Sequence, residues 1–187
     1  MFRSILALTS LVLASCALPT RPLAQGPEAT PTGALLLYLQ KGSPVLVVKD
    51  ELSRCAASSE DFDQVKSLAV ADRERLVRTL VTGERSTRDA LRACRPHQCT
   101  ALRAEEIASL MADVDSGENF VNSWKPLRAL YGQRTVVTIG TFAVEGDRAL
   151  SCYRARSGPM AGWFSVVFLR LEKGTWRVIE EVQTLIE

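Results

Sequence analysis

The hydrophobic period of this chain changes at Gly132, and that change limits the folds open to it. From about residue 58 up to Gly132, apolar residues recur at helical spacing; beyond it they alternate with polar ones, as on half-buried strands. In the helical part, Ser58 and Asp61 form a capping-box pattern, and Phe62, Val65, Leu68, Leu76 and Leu80 follow on one face until Gly83 stops the helix. Ser86 and Asp89 repeat the cap for a short helix that Pro96 must end. Thr100 opens a third helix with Ile107, Leu110, Met111 and Val114 on one side, and "ENFVNSWKPLRALYG" gives a further short helix, split at Pro126. After Gly132, "RTVVTIGTFAV", "RALSCYRAR", "WFSVVFLRL" and "TWRVIEEVQTLI" read as four strands joined by "EGD", "GPMAG" and "EKG". Short turns make consecutive strands antiparallel neighbours. The expected fold is therefore α+β, with N-terminal helices packed on a curved four-stranded antiparallel meander sheet. An additional N-terminal β-hairpin is expected where "LLLYL" and "VLVV" flank "QKGSP".

The last two strands, "LRLEKGTWRVIEEV", resemble the C-terminal hairpin of secreted NTF2-like (cystatin-like) domains. In those a strand ends in an acidic-Lys/Asp-Gly turn, followed by Trp and alternating aliphatics. The resemblance covers residues 132 to 187 and implies a cone-shaped domain. It implies little about activity, because that fold hosts enzymes, binders and scaffolds alike.

The first residues, "MFRSILALTSLVLASC", place Arg3 before an apolar run that is shorter than the roughly 20 residues a membrane span needs. They read as a signal peptide. Leu13-Ala14-Ser15-Cys16 resembles the lipobox of bacterial lipoproteins. That resemblance implies cleavage before Cys16, which then carries lipid on its sulfur and amine. Ala17, in place of Asp, follows the pattern associated with sorting to the outer membrane. Cleavage after Ala17 by an ordinary signal peptidase, giving a soluble periplasmic or secreted chain, is the alternative. The expected organisation is a signal over 1–15, a lipidated cysteine with a Pro/Thr/Gly-rich tether over 16–33, and a single α+β domain over 34–187.

Composition narrows the function classes. The 187 residues are 47% hydrophobic and 24% charged, as in a globular protein, with a net charge of +2 that falls to +1 once Arg3 is removed. No basic stretch is interleaved with aromatics, which argues against nucleic acid as a partner. Besides Cys16, four cysteines remain: Cys55, Cys94, Cys99 and Cys152. An even number in an exported chain points to two disulfides, with three connectivities open. The preferred pairing closes "CRPHQC" through Cys94 and Cys99 and ties the front of the domain to its sheet through Cys55 and Cys152.

Groups able to do chemistry are few. His97 is the only histidine and sits in that cysteine loop, so a histidine base or triad would have to use it. Cys94, His97 and Cys99 form one ligand cluster where a structural zinc site usually needs two. Glu180 and Glu181 are neighbours on a strand and must point to opposite faces, so one of them faces inward. Trp124, Trp163, Trp176, Phe142, Phe164 and Phe168 supply a sheet–helix core. No phosphate loop, HExxH or nucleophile elbow is present. These observations name no catalytic residue, metal or cofactor. They point to a non-enzymatic, outer-membrane-anchored envelope lipoprotein that faces the periplasm and binds an envelope protein or a small apolar ligand. Two rivals stand beside it. One is an NTF2-like hydrolase or isomerase using Glu180 or Glu181 with Tyr153. The other is a periplasmic inhibitor or immunity protein that inserts "RARSGPMAG" into a cleft.

Overall fold

The computed structural model describes residues 26–42, 46–49, 52–55, 57–82, 99–111, 125–132, 135–158 and 161–186. The leader, Cys16, Cys94, His97, Trp124 and the helix expected over 86–93 lie outside them.

The leucine run that opens the domain is a helix and no part of a hairpin. Helix α1 spans Pro31–Gly42. Proline suits the first helical position, and the Thr30 hydroxyl accepts the Gly33 amide at 3.1 Å. The run holds Leu, Ala, Tyr, Gln and Lys with no β-branched residue after Thr32, so nothing in it resists the helix. Helical structure already starts in the 3₁₀ turn Pro27–Ala29, inside the segment expected to be tether. The valine run does form a strand, β1 (Leu46–Lys49), but its partners are far away in sequence.

The long helix expected after Ser58 is broken in two. The Ser58–Asp61 capping box is present and starts α2 (Ser59–Asp63), with Ser58 N–H donating to the Asp61 carboxylate at 2.7 Å. Helix α3 begins only at Val70 and runs to Thr82. Between them the amides of Lys66 and Ser67 leave the helical ladder and donate to the Glu180 carboxylate at 3.0 and 2.7 Å. A carboxylate brought from the last strand thus replaces the helix's own acceptors, which sequence spacing cannot reveal. Thr100 likewise opens no helix. Cys99–Leu102 is strand β2, and α4 (Ala104–Met111) starts after it, with Glu106 accepting the Arg103 amide at 2.7 Å. Helix α5 (Lys125–Tyr131) ends at Gly132, whose φ of 68° suits a glycine.

Among the described residues one mixed sheet of seven strands replaces the expected four-stranded meander. "RTVVTIGTFAV" divides into β3 (Val136–Ile139) and β4 (Ala143–Glu145); β5 (Arg148–Gly158), β6 (Ala161–Glu172) and β7 (Thr175–Ile186) follow. The order is β2-β1-β3-β5-β6-β7, with β4 also on β5. The β3–β5–β6–β7 part is antiparallel, as the turns demand, and Lys173 and Gly174 form the "EKG" turn with φ of 51° and 83°. β1, however, pairs in parallel with both β2 and β3. The chain between β3 and β4 passes close to β5 at Gly140. Its amide donates to the Cys152 carbonyl at 2.7 Å, and a Cβ there would lie 2.7 Å from the Cys152 sulfur.

Alternation along the strands assigns the helices to faces. On β5, Ala149, Tyr153 and Ala155 share a buried cluster with Leu35 and Leu36 of α1. Leu150 points the other way, into a cluster with Phe62, Val65, Leu76 and Leu80 from α2 and α3. A third cluster, Val47, Leu102, Leu127 and Val136, lies under α4 and α5 at the parallel end. Val136 pairs with Arg156, which shares a face with Leu150, so α4 and α5 cover the same side as α2 and α3. The helices therefore pack on both faces of the sheet, where the sequence suggests a single face.

Candidate functional site

Two features of this frame bring chemically capable side chains together. One is buried under α1; the other is an opening on the opposite face.

Under α1, Glu181 of β7 faces inward, and Tyr38 of α1 donates to it at 2.8 Å. Tyr153 of β5 donates to its other oxygen, and the Trp163 indole N–H lies 3.4 Å from the Tyr153 hydroxyl. Burial, then the bond to Glu181, pushes the Tyr153 phenol up to about 12. The same carboxylate and burial raise Tyr38. Both hydroxyls are thus held protonated as donors. Glu180 and Glu181 point to opposite faces, as strand alternation requires, and each has partners. Burial pushes the Glu180 carboxyl up, but the Lys66 and Ser67 amides outweigh it and hold it below its ordinary value. Neither glutamate lines the opening described next.

On the other face, among the described residues, α2–α3 and α4–α5 cover separate parts of the sheet. The half-buried strip between them lines a cleft of about 520 Å³. Lys49 projects from β1, Thr138 from β3, Arg154 and Arg156 from β5, and Arg54 from the segment after β1. Thr138 stands directly opposite Arg154 in the ladder. Among the described lining residues, these four cations face one carboxylate, Asp61, whose Oδ2 is committed to the Ser58 cap. Each of the four cations also interacts with the rest of the chain.

A disulfide builds one wall. Cys152, at the floor of the cleft, is joined to Cys55, 97 positions away in sequence, with Cα atoms 5.8 Å apart. Next to Cys55, Ser53 bridges to Gly140: its amide donates to the Ile139 carbonyl at 2.8 Å, and its carbonyl accepts the Thr141 amide at 2.9 Å. The bridge and the disulfide together fix Arg54 over the sheet. Cys99 is disulfide-bonded too, to a cysteine outside the described residues.

The remaining candidates separate from this site. "RARSGPMAG" is mostly paired strand: Arg156 faces Gly162 and Gly158 faces Ala161, leaving 159–160 to connect them. Phe168 and Trp176 are buried in the core, Trp163 and Phe142 pack against it, and Phe164 both packs and lines the cleft. Sequence reasoning missed the cationic strip altogether. Arg154 and Arg156 sit two apart on a strand, a visible signal, but Lys49 and Arg54 join them only through the parallel pairing of β1.

Among the described residues, no group of three His, Cys, Asp or Glu side chains could hold a metal, and no helix is long and apolar enough to cross a membrane. No protein-family model, curated protein or solved structure significantly matches this chain.

Proposed function

We propose that this chain is an exported, lipid-anchored protein of the cell envelope that works by binding and catalyses no reaction. The observation that carries this reading is the Cys55–Cys152 disulfide. Such bonds persist in oxidising compartments, which is where the leader, the Leu13–Cys16 pattern and the tether would deliver the domain. The Glu181 cluster favours binding over acid–base chemistry. Its carboxylate accepts from two phenols beneath a helix, and it lines neither of the cavities described among these residues, so the residues of the enzyme rival are engaged with one another. The inhibitor rival loses its protruding loop to strand pairing. Among the described residues the charged cleft is open to a partner, and its lining disfavours a small apolar ligand.

Mass spectrometry of the mature protein together with cell fractionation tests this. The expected result is a chain starting at Cys16 with added acyl mass, recovered with outer membranes, and released into the soluble fraction by Cys16→Ser. An intact Met1, or an unacylated residue 16, contradicts it.

A further inference from the structure

We propose that the cleft between α2–α3 and α4–α5 is a binding site for a small, multiply charged oxyanion with a hydroxylated body, such as a sugar phosphate or a hydroxy-polycarboxylate. The inference rests on the reading above only in supposing that the protein works by binding.

Charge is the first ground. Lys49, Arg54, Arg154 and Arg156 come from three separate stretches of chain, and the fold gathers them around one opening. The chain as a whole carries a net charge of only +2, so this concentration is local. Concave walls of low dielectric focus such a potential and draw anions in. Three of the four are arginines, whose planar fork meets phosphate or carboxylate oxygens with two parallel hydrogen bonds.

Shape is the second. Arg154 and Arg156 are two apart on β5 and share a face, which puts their Cα atoms about 7 Å apart. One ligand can therefore meet both, with Lys49 and Arg54 closing from other sides. A volume of about 520 Å³ suits a small molecule. Thr138 and Ser53 add hydroxyls that can donate to or accept from a ligand's own hydroxyls. Phe164 gives one apolar patch for a carbon skeleton. The site is also built on strands and pinned by a disulfide, so little ordering is required when the ligand enters.

Calorimetric titration of the full lipidated chain in detergent, with citrate and with pyrophosphate as probes and glucose as the neutral control, tests the proposal. Saturable binding of at least one anion, weakening with added salt, and no heat from glucose is the expected result. Arg154→Gln and, separately, Lys49→Gln should each weaken that binding about tenfold or more while leaving the near-UV circular dichroism unchanged. Pyrophosphate ahead of citrate points to a phosphate ligand, and the reverse order to a carboxylate one. Equal affinity in well-folded Arg154→Gln and Lys49→Gln chains would overturn the assignment to this cleft. Binding of an oligoglutamate peptide with none of the small anions would overturn the small-ligand proposal while leaving the envelope-binding reading intact, since that reading is judged by fractionation.

Discussion

The two faces of the sheet solve the same problem differently. Under α1 the face is filled. Leu35, Leu36, Val167 and Leu169 are fully buried, and the one carboxylate among them is met by two phenols. On the opposite face two helical groups cover the ends and leave a strip of Lys49, Thr138, Arg154 and Arg156 between them. On the first face the Glu181 carboxylate accepts from two phenols; on the second, four cations and one carboxylate line the cleft among the described residues, and each cation also interacts with the rest of the chain. The difference separates what the molecule needs in order to stand from what it can use to bind.

Substitutions can break or sharpen that contrast. The largest effect is expected from replacing both Cys55 and Cys152 by Ser, which removes a bridge closing a long loop and costs about 4–5 kcal/mol in the chain-entropy model. Denaturant melts of the oxidised wild type and the double variant read it, and the variant should also lose oxyanion affinity because Arg54 loses its support. Next comes Leu35→Ala under α1, expected to cost about 3 kcal/mol as a buried large-to-small change, with no effect on anion binding.

Tyr153→Phe is smaller, about 1–2 kcal/mol at neutral pH, because Glu181 loses one donor. It also carries a pH signature. A phenol raised from 10.0 to about 12 favours the folded state fully below pH 10, and that contribution is lost as pH rises from 10 towards 12. Wild-type stability should fall across that window, and the variant's should fall less, followed by thermal melts at increasing pH. Smallest is Arg154→Gln on the open face, expected to change stability by less than about 1 kcal/mol while weakening anion binding. A large loss of stability there would erase the distinction between the faces.

How much of this was legible in the sequence follows the range of the interactions. The long strands β5, β6 and β7, the "EKG" turn and the Ser58–Asp61 cap are local patterns, and all stand where the residues suggested. The parallel β2–β1–β3 pairing was not legible, because Leu46–Lys49 and Cys99–Leu102 are four residues each and lie about fifty residues apart, with α2 and α3 between them among the described residues. The leucine run of α1 departs from the expected hairpin because apolar residues in unbroken sequence carry no period. The cap that settles it, Thr30 before Pro31, lies just ahead of the run. Strand alternation requires one of Glu180 and Glu181 to face inward but does not say which, and Glu181's partner Tyr38 comes from 143 residues away. The cleft suffers most, since its charges meet only after the parallel strands pair.

Amide chemical shifts recorded while citrate is added to the isotopically labelled protein test the central claim most directly. The account predicts that shifts concentrate at Lys49, Arg54, Thr138, Arg154 and Arg156, and that Leu35, Tyr38 and Glu181 stay where they are. Shifts centred on the α1 face, or spread without a focus on the open strip, would contradict it.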